Sequence, residues 1–536
     1  MSVASRCRLA VIFSAVVTLV GCAKSSNLGP QEDLGTRGGP TVDLGDSTDG
    51  ATVGTGGVID PLAPVYKEMR GVVHMHSVYS HDACDGAGIP GGVRNMDCWD
   101  DLRAAICSTG LQYVGLNDHP GHMDEYPMDD ELMVDASKGD LPIVEGAIRV
   151  GNQLHCDDGH TVIITEGFEN NHALPMAFSR QPTTTTAYGT LLDSNPMADM
   201  QAMVAELKAA GAVVGSAHSE EDVLSASTLL AVGVDAMEWY NPHGNFLTAL
   251  GDSNGISLGV LDAFNVVGSM TPFMTGSSSG AHPDLVFLTM LPKWPQKGFD
   301  KWREVQRTRT VTGLLGSDVH QNVSVKPMCT GAALVACQLA AATSTGSTQA
   351  LALLASGGLI VMSDGRRLDA YERIMRWIEN RMLVTDVSIE GMKDALRSGR
   401  SYGLFSVFGS PDGFRFVGEA NGKVLEMGGA QQGPMTLTVR LPKSAQPLSG
   451  AKWDAAASTK VELHASLFHT SATETTLVKE STLLGDTFKF SATEPGAYHV
   501  EVWLKPKHLL SALGSQTGLA DTDYLWVISN PIRVLP

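Results

Sequence analysis

Seven short, almost continuously apolar runs between residues 71 and 320 limit the folds open to this chain. Such runs favour parallel strands covered on both faces, because a strand with one solvent-facing side alternates apolar and polar residues. The runs are Gly71–His76, Gln112–Asp118, His160–Glu169, Ala212–His218, Val234–Asn241, Asp284–Met290 and Val311–His320. Helical patterns at Trp99–Ser108 and Met197–Ala210 lie between them, and Gly110 and Gly211 then follow where a helix commonly ends. This alternation predicts a parallel α/β architecture.

Histidine and carboxylate residues gather at the ends of five of the seven runs. In chain order these residues are His74 and His76, Asp118 and His119, Glu166 and Glu169, His218, and Asp318 and His320. The carboxyl ends of parallel strands meet on one face of a barrel, so these side chains are expected to lie close together. A ring of functional residues of this kind favours a barrel over an open sheet.

Each strand end has a simpler explanation when it is taken alone. A single histidine such as His218 is commonly a hydrogen-bonded surface or core residue, and Asp318 suits a helix N-cap. Five such ends together are harder to explain by structure, because clustered unpaired charges repel one another and lower stability. Bound cations remove that cost. Histidine nitrogens and carboxylate oxygens suit borderline and hard divalent ions, and water bound between such ions can have its pKa lowered to about 7.

Five short motifs carry a resemblance to a known family. They are His74-Met75-His76-Ser77-Val78-Tyr79-Ser80-His81-Asp82, Asn117-Asp118-His119, Gly167-Phe168-Glu169, Ala217-His218 and Gly316-Ser317-Asp318-Val319-His320. In this order they resemble the motifs of the PHP family, the polymerase and histidinol phosphatase metallohydrolases, across residues 71–322. The resemblance implies a distorted seven-stranded, TIM-like β/α barrel. It also implies a site for two or three divalent ions (zinc, manganese or iron) and hydrolysis of phosphoesters.

The same resemblance implies which residues bind the metal ions. The matching positions are His74, His76, His119, Glu169, His218, Asp318 and His320. A further ligand follows Ser80 and is either His81 or Asp82, because family members place it seven or eight positions after the first histidine. Three other histidines lie in loops that border the expected pocket, with plain solvent exposure as the alternative: His122, His243 and His282.

Several neighbouring positions are less sharply defined by the resemblance. Glu166 competes with Glu169, but the Gly-x-Glu spacing favours Glu169, and His172 matches a ligand histidine that some family members carry. Asn117 stands where the family usually has threonine, which affects the surroundings of the ligands rather than the ligands themselves. Arg180, just past the third run, is a candidate phosphate contact, with an ordinary surface position as the alternative. No catalytic side chain is assigned beyond the metal-bound water.

The C-terminal region has a different pattern, with short strand-like segments punctuated by glycine and proline. A linking region after His320 contains helical patterns at Asp369–Asn380 and Ile389–Arg397. The strand-like segments that follow are Met435–Leu441, Val461–Phe468, Thr487–Ser491, Ala497–Leu504 and Tyr524–Ile528. We therefore expect a metallohydrolase barrel with linking helices over residues 63–400 and a small all-β sandwich over residues 401–536.

The N-terminus is typical of a targeting segment rather than of a folded element. Arg6 and Arg8 precede an apolar run, Leu9–Val20, that is too short to span a bilayer. The run leads into Leu19-Val20-Gly21-Cys22, which resembles a bacterial lipobox in which Cys22 is lipidated. Residues 1–22 are therefore predicted to be a lipoprotein signal segment, and the Gly-, Ser- and Thr-rich residues 23–62 a flexible tether. Ala23 after the cysteine suggests sorting to the outer membrane of a bacterial cell envelope.

Cysteine content and charge add two limits. Apart from Cys7 and Cys22, six cysteines remain, an even number that allows three disulfides in an exported chain or a set of buried thiols. The formal net charge is −20, so neutralisation of a nucleic-acid backbone is not expected to contribute to binding.

The sequence leaves three functions open. The first is a lipid-anchored metal-dependent phosphoesterase that cleaves small phosphorylated substrates outside the cytoplasm. The second is a non-catalytic binding lipoprotein that keeps the barrel as a scaffold. The third is a metal hydrolase of non-phosphate esters or amides, which the same site chemistry would serve.

Overall fold

A computed structural model describes the protein from residue 61 to residue 536. It leaves out residues 120–125, 127, 171, 181–196, 251–259, 276–279, 295, 325–328, 330–332, 345–346, 356 and 449–456. The predicted signal segment, Cys22, residues 23–60 of the predicted tether and His122 lie outside the described residues. Within the described ranges, no helix is long and apolar enough to cross a membrane.

Nine strands form the N-terminal part of a large mixed sheet. They are β1 Lys67–Met75, β2 Tyr113–Leu116, β3 Leu141–Glu145, β4 Ile148–His155, β5 Thr161–Glu166, β6 Ala173–Met176, β7 Val213–Ser216, β8 Ala236–Tyr240 and β9 Thr312–Val319. Parallel ladders run through β5, β2, β1, β9, β8 and β7 in that order. The six strands of this parallel part correspond to six of the seven apolar runs, so the predicted α/β class is confirmed.

The strand that follows β7 in this order is β6, whereas the sequence predicted a seventh strand at Asp284–Met290. β6 pairs antiparallel with β7, and an isolated bridge between Gly167 and Met176 links it to the end of β5. A single bridge is weaker than a ladder, so these pairings do not establish the predicted TIM-like barrel. β3 and β4 form a hairpin that extends the sheet beyond β5.

Ten labelled helices pack around this part of the sheet or lie in its connections. They are α1 Met96–Ser108, α2 Met197–Ala209, α3 Ala226–Val232, α4 Pro242–Leu250, α5 Val260–Met274, α6 Gln296–Gln306, α7 Ala333–Thr343, α8 Ser347–Ala355, α9 Tyr371–Met375 and α10 Ile389–Ser398. Single helical turns lie at Ala83–Gly86, Met128–Glu131 and Leu510–Leu513. The helices expected from the patterns before Gly110 and Gly211 are present as α1 and α2, and both glycines have positive φ.

Two predicted elements are wrong for physical reasons. The run predicted as a strand at Asp284–Met290 is a 3-10 helix, Pro283–Thr289, because Pro283 suits a helical start and the His282 ring accepts the Asp284 N–H at 3.3 Å. A continuous apolar run alone does not distinguish a buried strand from a buried helix. The helix predicted over Asp369–Asn380 is limited to α9, and its last residues begin a strand that pairs antiparallel with β1.

The C-terminal region is rich in β-strands, as the sequence predicts. Its strands are β10 Glu379–Val384, β11 Ser401–Leu404, β12 Ser410–Pro411, β13 Arg415–Ala420, β14 Lys423–Leu425, β15 Ala430–Gln432, β16 Met435–Arg440, β17 Ala445–Gln446, β18 Glu462–Thr470, β19 Thr475–Ser481, β20 Thr487–Ala492, β21 Gly496–Lys505, β22 Tyr524–Ser529 and β23 Ile532–Leu535. The large sheet continues from β1 through β10, β11, β22, β21, β18 and β19. A separate sheet has the order β14, β13, β16, β20. Both sheets contribute to one buried core, Phe416 and Leu437 from this sheet and Leu467 and Val502 from the large one.

The six cysteines beyond the predicted signal segment form three disulfides. The pairs are Cys84–Cys98, Cys107–Cys156 and Cys329–Cys337. The first pair ties the turn that follows Asp82 to the first turn of α1, and therefore fixes a loop that carries candidate ligands.

Candidate metal site

Three of the candidate ligands have an unusual backbone conformation at strand ends. His74, His218 and Asp318 have φ values of 59°, 49° and 50°, in the left-handed region that non-glycine residues rarely adopt. His74 also lies where the register of β1 shifts against both β2 and β9. Bulges and strained residues of this kind redirect side chains at functional sites. In this protein the strained residues lie at the strand ends whose side chains meet in one cluster.

The converging side chains form four groups with the composition of metal sites, and three of the groups overlap. The groups are His74, His76, Glu169 and Asp318; His76, His119 and His320; His81, Asp82 and His119; and His218, Glu220 and Glu238. Within each group the nitrogen and oxygen atoms lie within 4.8 Å of one another. Because His76 and His119 each belong to two groups, the first three groups are contiguous.

The contiguous groups contain buried nitrogen atoms without hydrogen bonds. The Nε2 atoms of His74, His76 and His320 are buried and, among the described residues, form no hydrogen bond. Nε2 of His74 lies 3.5 Å from Asp318 Oδ1, and Nε2 of His76 lies 3.6 Å from the same oxygen. A buried polar atom without a partner is costly. A cation between these atoms would satisfy them, so the donor set fits divalent metal ions.

Ser80 orients two of these histidines. Its Oγ lies 2.7 Å from Nδ1 of His76 and accepts the backbone N–H of His119 at 2.9 Å. When Nδ1 of His76 donates to Ser80, Nε2 presents a lone pair to the cluster. Asp118 does not lie in any of the four groups, because its carboxylate accepts hydrogen bonds from the backbone N–H and the hydroxyl of Ser77 at 2.5 and 2.7 Å. Asp118 therefore secures the loop after β1.

Glu238 on β8 supports two further histidines from inside the sheet. Its Oε2 lies 2.5 Å from Nδ1 of His74, and its Oε1 accepts the backbone N–H of His218 at 3.2 Å. The Asn241 side-chain amide donates to the same Oε1 at 2.7 Å. Gly316 makes room for this carboxylate, because a Cβ at that position would lie 1.7 Å from Oε2.

The electrostatics of the cluster favour positive charge between the rings. Burial would raise the pKa of Glu169, but His119 and His218 lower it well below the usual range. Burial likewise opposes ionisation of Asp318, yet His74 and His218 lower the pKa of its carboxyl. Burial would lower the pKa of His74, but Glu238 and Asp318 raise it to about 10. Two ionised carboxylates therefore require either protons on the imidazoles or cations between them.

The structure brings nine of the ten predicted metal ligands into the four groups. The exception is His172, whose Nε2 lies 3.2 Å from Glu221 Oε2 and whose ring centroid lies 6.4 Å from that of His218. Both His81 and Asp82 lie in the third group with His119, so the geometry admits either as the ligand after Ser80.

Two other candidates lie apart from the cluster. The Glu166 carboxylate lies against Glu131, and burial together with Glu166 raises the pKa of Glu131 to about 12. Glu169 is therefore the carboxylate of this segment that faces the histidines. Arg180 is exposed, and its guanidinium donates to the Ala209 carbonyl at the end of α2, at 3.0 Å. Its position is that of an ordinary surface arginine.

Sequence reasoning missed Glu220, Glu238 and the role of Ser80. Glu238 had a detectable signal, since it is an acidic residue within the fully buried five-residue strand β8. Of the loop histidines, His243 lies beside the cluster, with its ring centroid 6.2 Å from that of His320. His282 instead caps the 3-10 helix Pro283–Thr289.

Comparisons with known proteins give little further guidance. The sequence matches no known protein-family model and no curated protein sequence. A similar solved structure is that of a two-domain protein from Bacteroides vulgatus that contains a predicted PHP-like metal-dependent phosphoesterase. The two chains are 12% identical, and the alignment covers 86% of this chain and 95% of the other with a TM-score of 0.28. A TM-score this low does not establish a shared fold.

Proposed function

We propose that this protein is a metal-dependent phosphoesterase of the PHP type. The observation that carries the proposal is the convergence of His74, His76, Glu169 and Asp318, from strands far apart in sequence, into one buried group of nitrogen and oxygen donors. The ordered motifs of the sequence support the same assignment, because they supply these donors.

The proposed ligands divide between two adjoining positions and a third position beside them. His74, His76, Glu169 and Asp318 would hold one divalent ion. His119 and His320 would hold a second with Asp82, whose Oδ1 lies 3.6 Å from Nε2 of each, or with His81, which is grouped with His119. A third ion at His218 is supported by its approach to Glu169 Oε1 at 3.0 Å and to Glu220. Zinc, manganese and iron suit this mixture of imidazole and carboxylate ligands. Such ions would polarise the phosphoryl group and make water a stronger nucleophile at neutral pH.

Ser80 and Glu238 prepare the site by fixing the tautomer and the ring orientation of two proposed ligands. The Ser80 oxygen and the Glu238 carboxylate each accept an Nδ1 proton, which leaves Nε2 of His76 and His74 free to bind a cation. Hydrolysis breaks the bond between phosphorus and the leaving oxygen and forms a bond between phosphorus and the water oxygen. A water proton passes to the leaving oxygen. We assign binding of the phosphoryl charge to the cations.

The proposal extends to fold and location. The strands β1, β2, β5, β6, β7, β8 and β9 would form a distorted seven-stranded barrel, supported by their cyclic order of neighbours. A lipid on Cys22 would tether the protein to the bacterial cell envelope through residues 23–62. The three disulfides support an oxidising location of this kind.

The test is a substrate panel with the metal-loaded mature protein. Phosphate monoesters and diesters should be hydrolysed in the presence of zinc, manganese or iron, and EDTA should abolish the activity. Hydrolysis of carboxylic esters or amides without hydrolysis of phosphoesters would replace the proposal with the third function that the sequence leaves open. Metal binding without turnover of any substrate would favour the non-catalytic lipoprotein.

A further inference from the structure

A pair of helices without any charged residue exposes apolar side chains at the surface of the protein. The pair consists of α7 Ala333–Thr343 and α8 Ser347–Ala355. The sequence has no Asp, Glu, Lys, Arg or His anywhere in residues 327–363, although 18% of the residues of the whole chain are charged. An uncharged stretch of this length in an acidic chain indicates a surface whose environment excludes charge.

Part of each helix is packed against the rest of the protein. Both helices contact α5, and the disulfide Cys329–Cys337 ties α7 to the segment before it. The side chains of the pair that are buried together are small: Cys337, Ala340, Ala341 and Ala350. Small side chains let two helices approach closely. The α7–α8 pair is therefore held to the fold by its small residues and not by its leucines at the surface.

The remaining surface of the α7–α8 pair is exposed and rich in leucine and alanine. Leu334, Leu339 and Leu351 are 40%, 67% and 42% exposed. The other exposed residues that the structure describes in the two helices are uncharged: Gln338, Ala342, Thr343, Thr348, Ala352 and Ala355. An exposed apolar surface of this kind marks an interaction site.

Hydroxyl groups at the end of α7 are satisfied by the helix itself. Thr343 Oγ1 donates to the Leu339 carbonyl at 2.9 Å, and Ser344 Oγ donates to the Ala341 carbonyl at 2.9 Å. These hydroxyls need no hydrogen bond from water, just as the backbone groups inside a helix need none. Transfer of this helix end from water into an apolar medium therefore costs less free energy.

The predicted tether allows the α7–α8 pair to reach a bilayer. Residues 23–60 would connect the fold to a lipid on Cys22, and a flexible chain of this length spans on the order of 35 Å. Faces of the protein other than the one where the tether begins can therefore meet the membrane. At the base of the pair, Ser324 forms an isolated bridge with Leu359, and Ser324 closely follows the proposed ligand His320.

We propose that the α7–α8 pair docks into the surface of a lipid bilayer. Its exposed leucines would enter the boundary between headgroups and acyl chains, where burial of their apolar area drives binding. A partner protein would normally contact a polar rim around an apolar centre, whereas residues 327–363 carry no charge. This inference rests on the cell-envelope location in the proposed function and not on its phosphoesterase chemistry.

Vesicle flotation tests the docking without the anchor. The mature chain is produced from residue 23, so that it carries no acyl group, and is mixed with phosphatidylcholine vesicles. It should float with the vesicles, and the bound fraction should not fall as the salt concentration rises, because salt screens only charged contacts. Absence of binding to these vesicles would overturn the inference, as would binding that salt abolishes.

Matched variants locate the contact on the α7–α8 pair. Leu339→Ser combined with Leu351→Ser should lower the affinity for vesicles by about 10-fold or more, because both positions lose apolar area. Leu483 and Leu484 are 66% and 38% exposed between β19 and β20, so the corresponding double serine variant is the control and should bind like the wild type. Double alanine variants, with a smaller expected loss, serve if a serine variant fails to fold. Equal affinity of the two double variants would contradict the assignment.

Two further measurements separate the alternatives. Light scattering detects a dimer in the absence of lipid, and a dimer that the Leu339 and Leu351 double variant converts to a monomer would overturn the inference in favour of a second copy of the chain. Phosphoester hydrolysis is measured on the same samples. Leucine-dependent vesicle binding without hydrolysis would leave the docking assignment standing and exclude the phosphoesterase. Hydrolysis by a chain that does not bind vesicles would give the reverse result.

Discussion

The Glu238 carboxylate lies 2.5 Å from Nδ1 of His74, although the two residues are 164 positions apart in the chain. Both side chains are fully buried. A carboxylate that accepts the second ring proton of a metal-binding histidine fixes its tautomer and increases its basicity. Glu238 reaches His74 from β8 through the space that Gly316 leaves on β9, so three neighbouring strands cooperate in orienting one proposed ligand.

Replacing Glu238 tests this relationship. Glu238→Gln removes the charge but keeps the shape, so we expect the affinity for zinc to fall by about 10-fold or more. Competition with a chelator of known affinity measures the change. Gly316→Ala should lower zinc affinity as well, because its Cβ displaces the same carboxylate. Glu145→Gln, at an exposed position on β3, is the control and should bind zinc normally. Full zinc affinity in Glu238→Gln would show that the contact does not support the site.

Ser80 provides an independent test of how the histidines are oriented. Ser80→Ala removes the oxygen that contacts Nδ1 of His76 and the N–H of His119. Zinc affinity should fall by about 10-fold, while the thermal unfolding of the metal-free protein changes little. Ser108→Ala removes a hydroxyl that bonds only within α1 and should have no effect on zinc. Equal zinc affinity of the two variants would contradict the assigned role of Ser80.

The strand ends and the histidine and carboxylate residues that meet there were predictable because each lies within one short sequence motif. Apolar runs indicated β1, β2, β5, β7, β8 and β9, and histidine or carboxylate residues stand at the ends of five of them, β8 being the exception. The contribution of Glu238 was not predictable in the same way, because it depends on which strands become neighbours. The sequence showed only that a carboxylate lies in an apolar run.

The secondary-structure predictions that were wrong concern segments whose conformation depends on contacts with distant parts of the chain. β6 has four residues, one of them Pro175, and gives almost no local signal. The strand β10 begins in a pattern read as helical and forms because β1 and β11 pair with it on both sides. In such cases the pairing of a segment with neighbouring strands outweighs its intrinsic preference for a helix.

Acidification should destabilise the protein through His508. Burial lowers the pKa of His508 to about 4 from an ordinary value of 6.5, although its hydrogen bond to the Phe408 carbonyl opposes the shift. The folded state then binds this proton less readily than the unfolded state, so stability is full above pH 6.5 and falls as the pH drops toward 4. By pH 4 the loss should reach about 3 kcal/mol relative to His508→Gln. Urea unfolding of both proteins between pH 7 and pH 4 measures it, and parallel pH profiles would contradict it.

The predicted anchor is tested by cell fractionation. Native protein should partition into the membrane fraction, and Cys22→Ser should release it or block its maturation. Cys7→Ser, within the same predicted signal segment, is the control. A wild-type protein found wholly in the soluble fraction with an unmodified N-terminus would exclude lipidation.

Metal content tests the central claim most directly. The purified mature protein, reconstituted with zinc and dialysed, should retain two or three ions per chain by elemental analysis. His74→Ala should lose at least one of them and most of the hydrolytic activity, because it removes a nitrogen from the fully buried group. His155→Ala, an exposed position at the end of β4, should retain the full metal content and the full hydrolytic activity. If folded His74→Ala keeps the metal content and the activity of the wild type, the site does not bind metal as proposed.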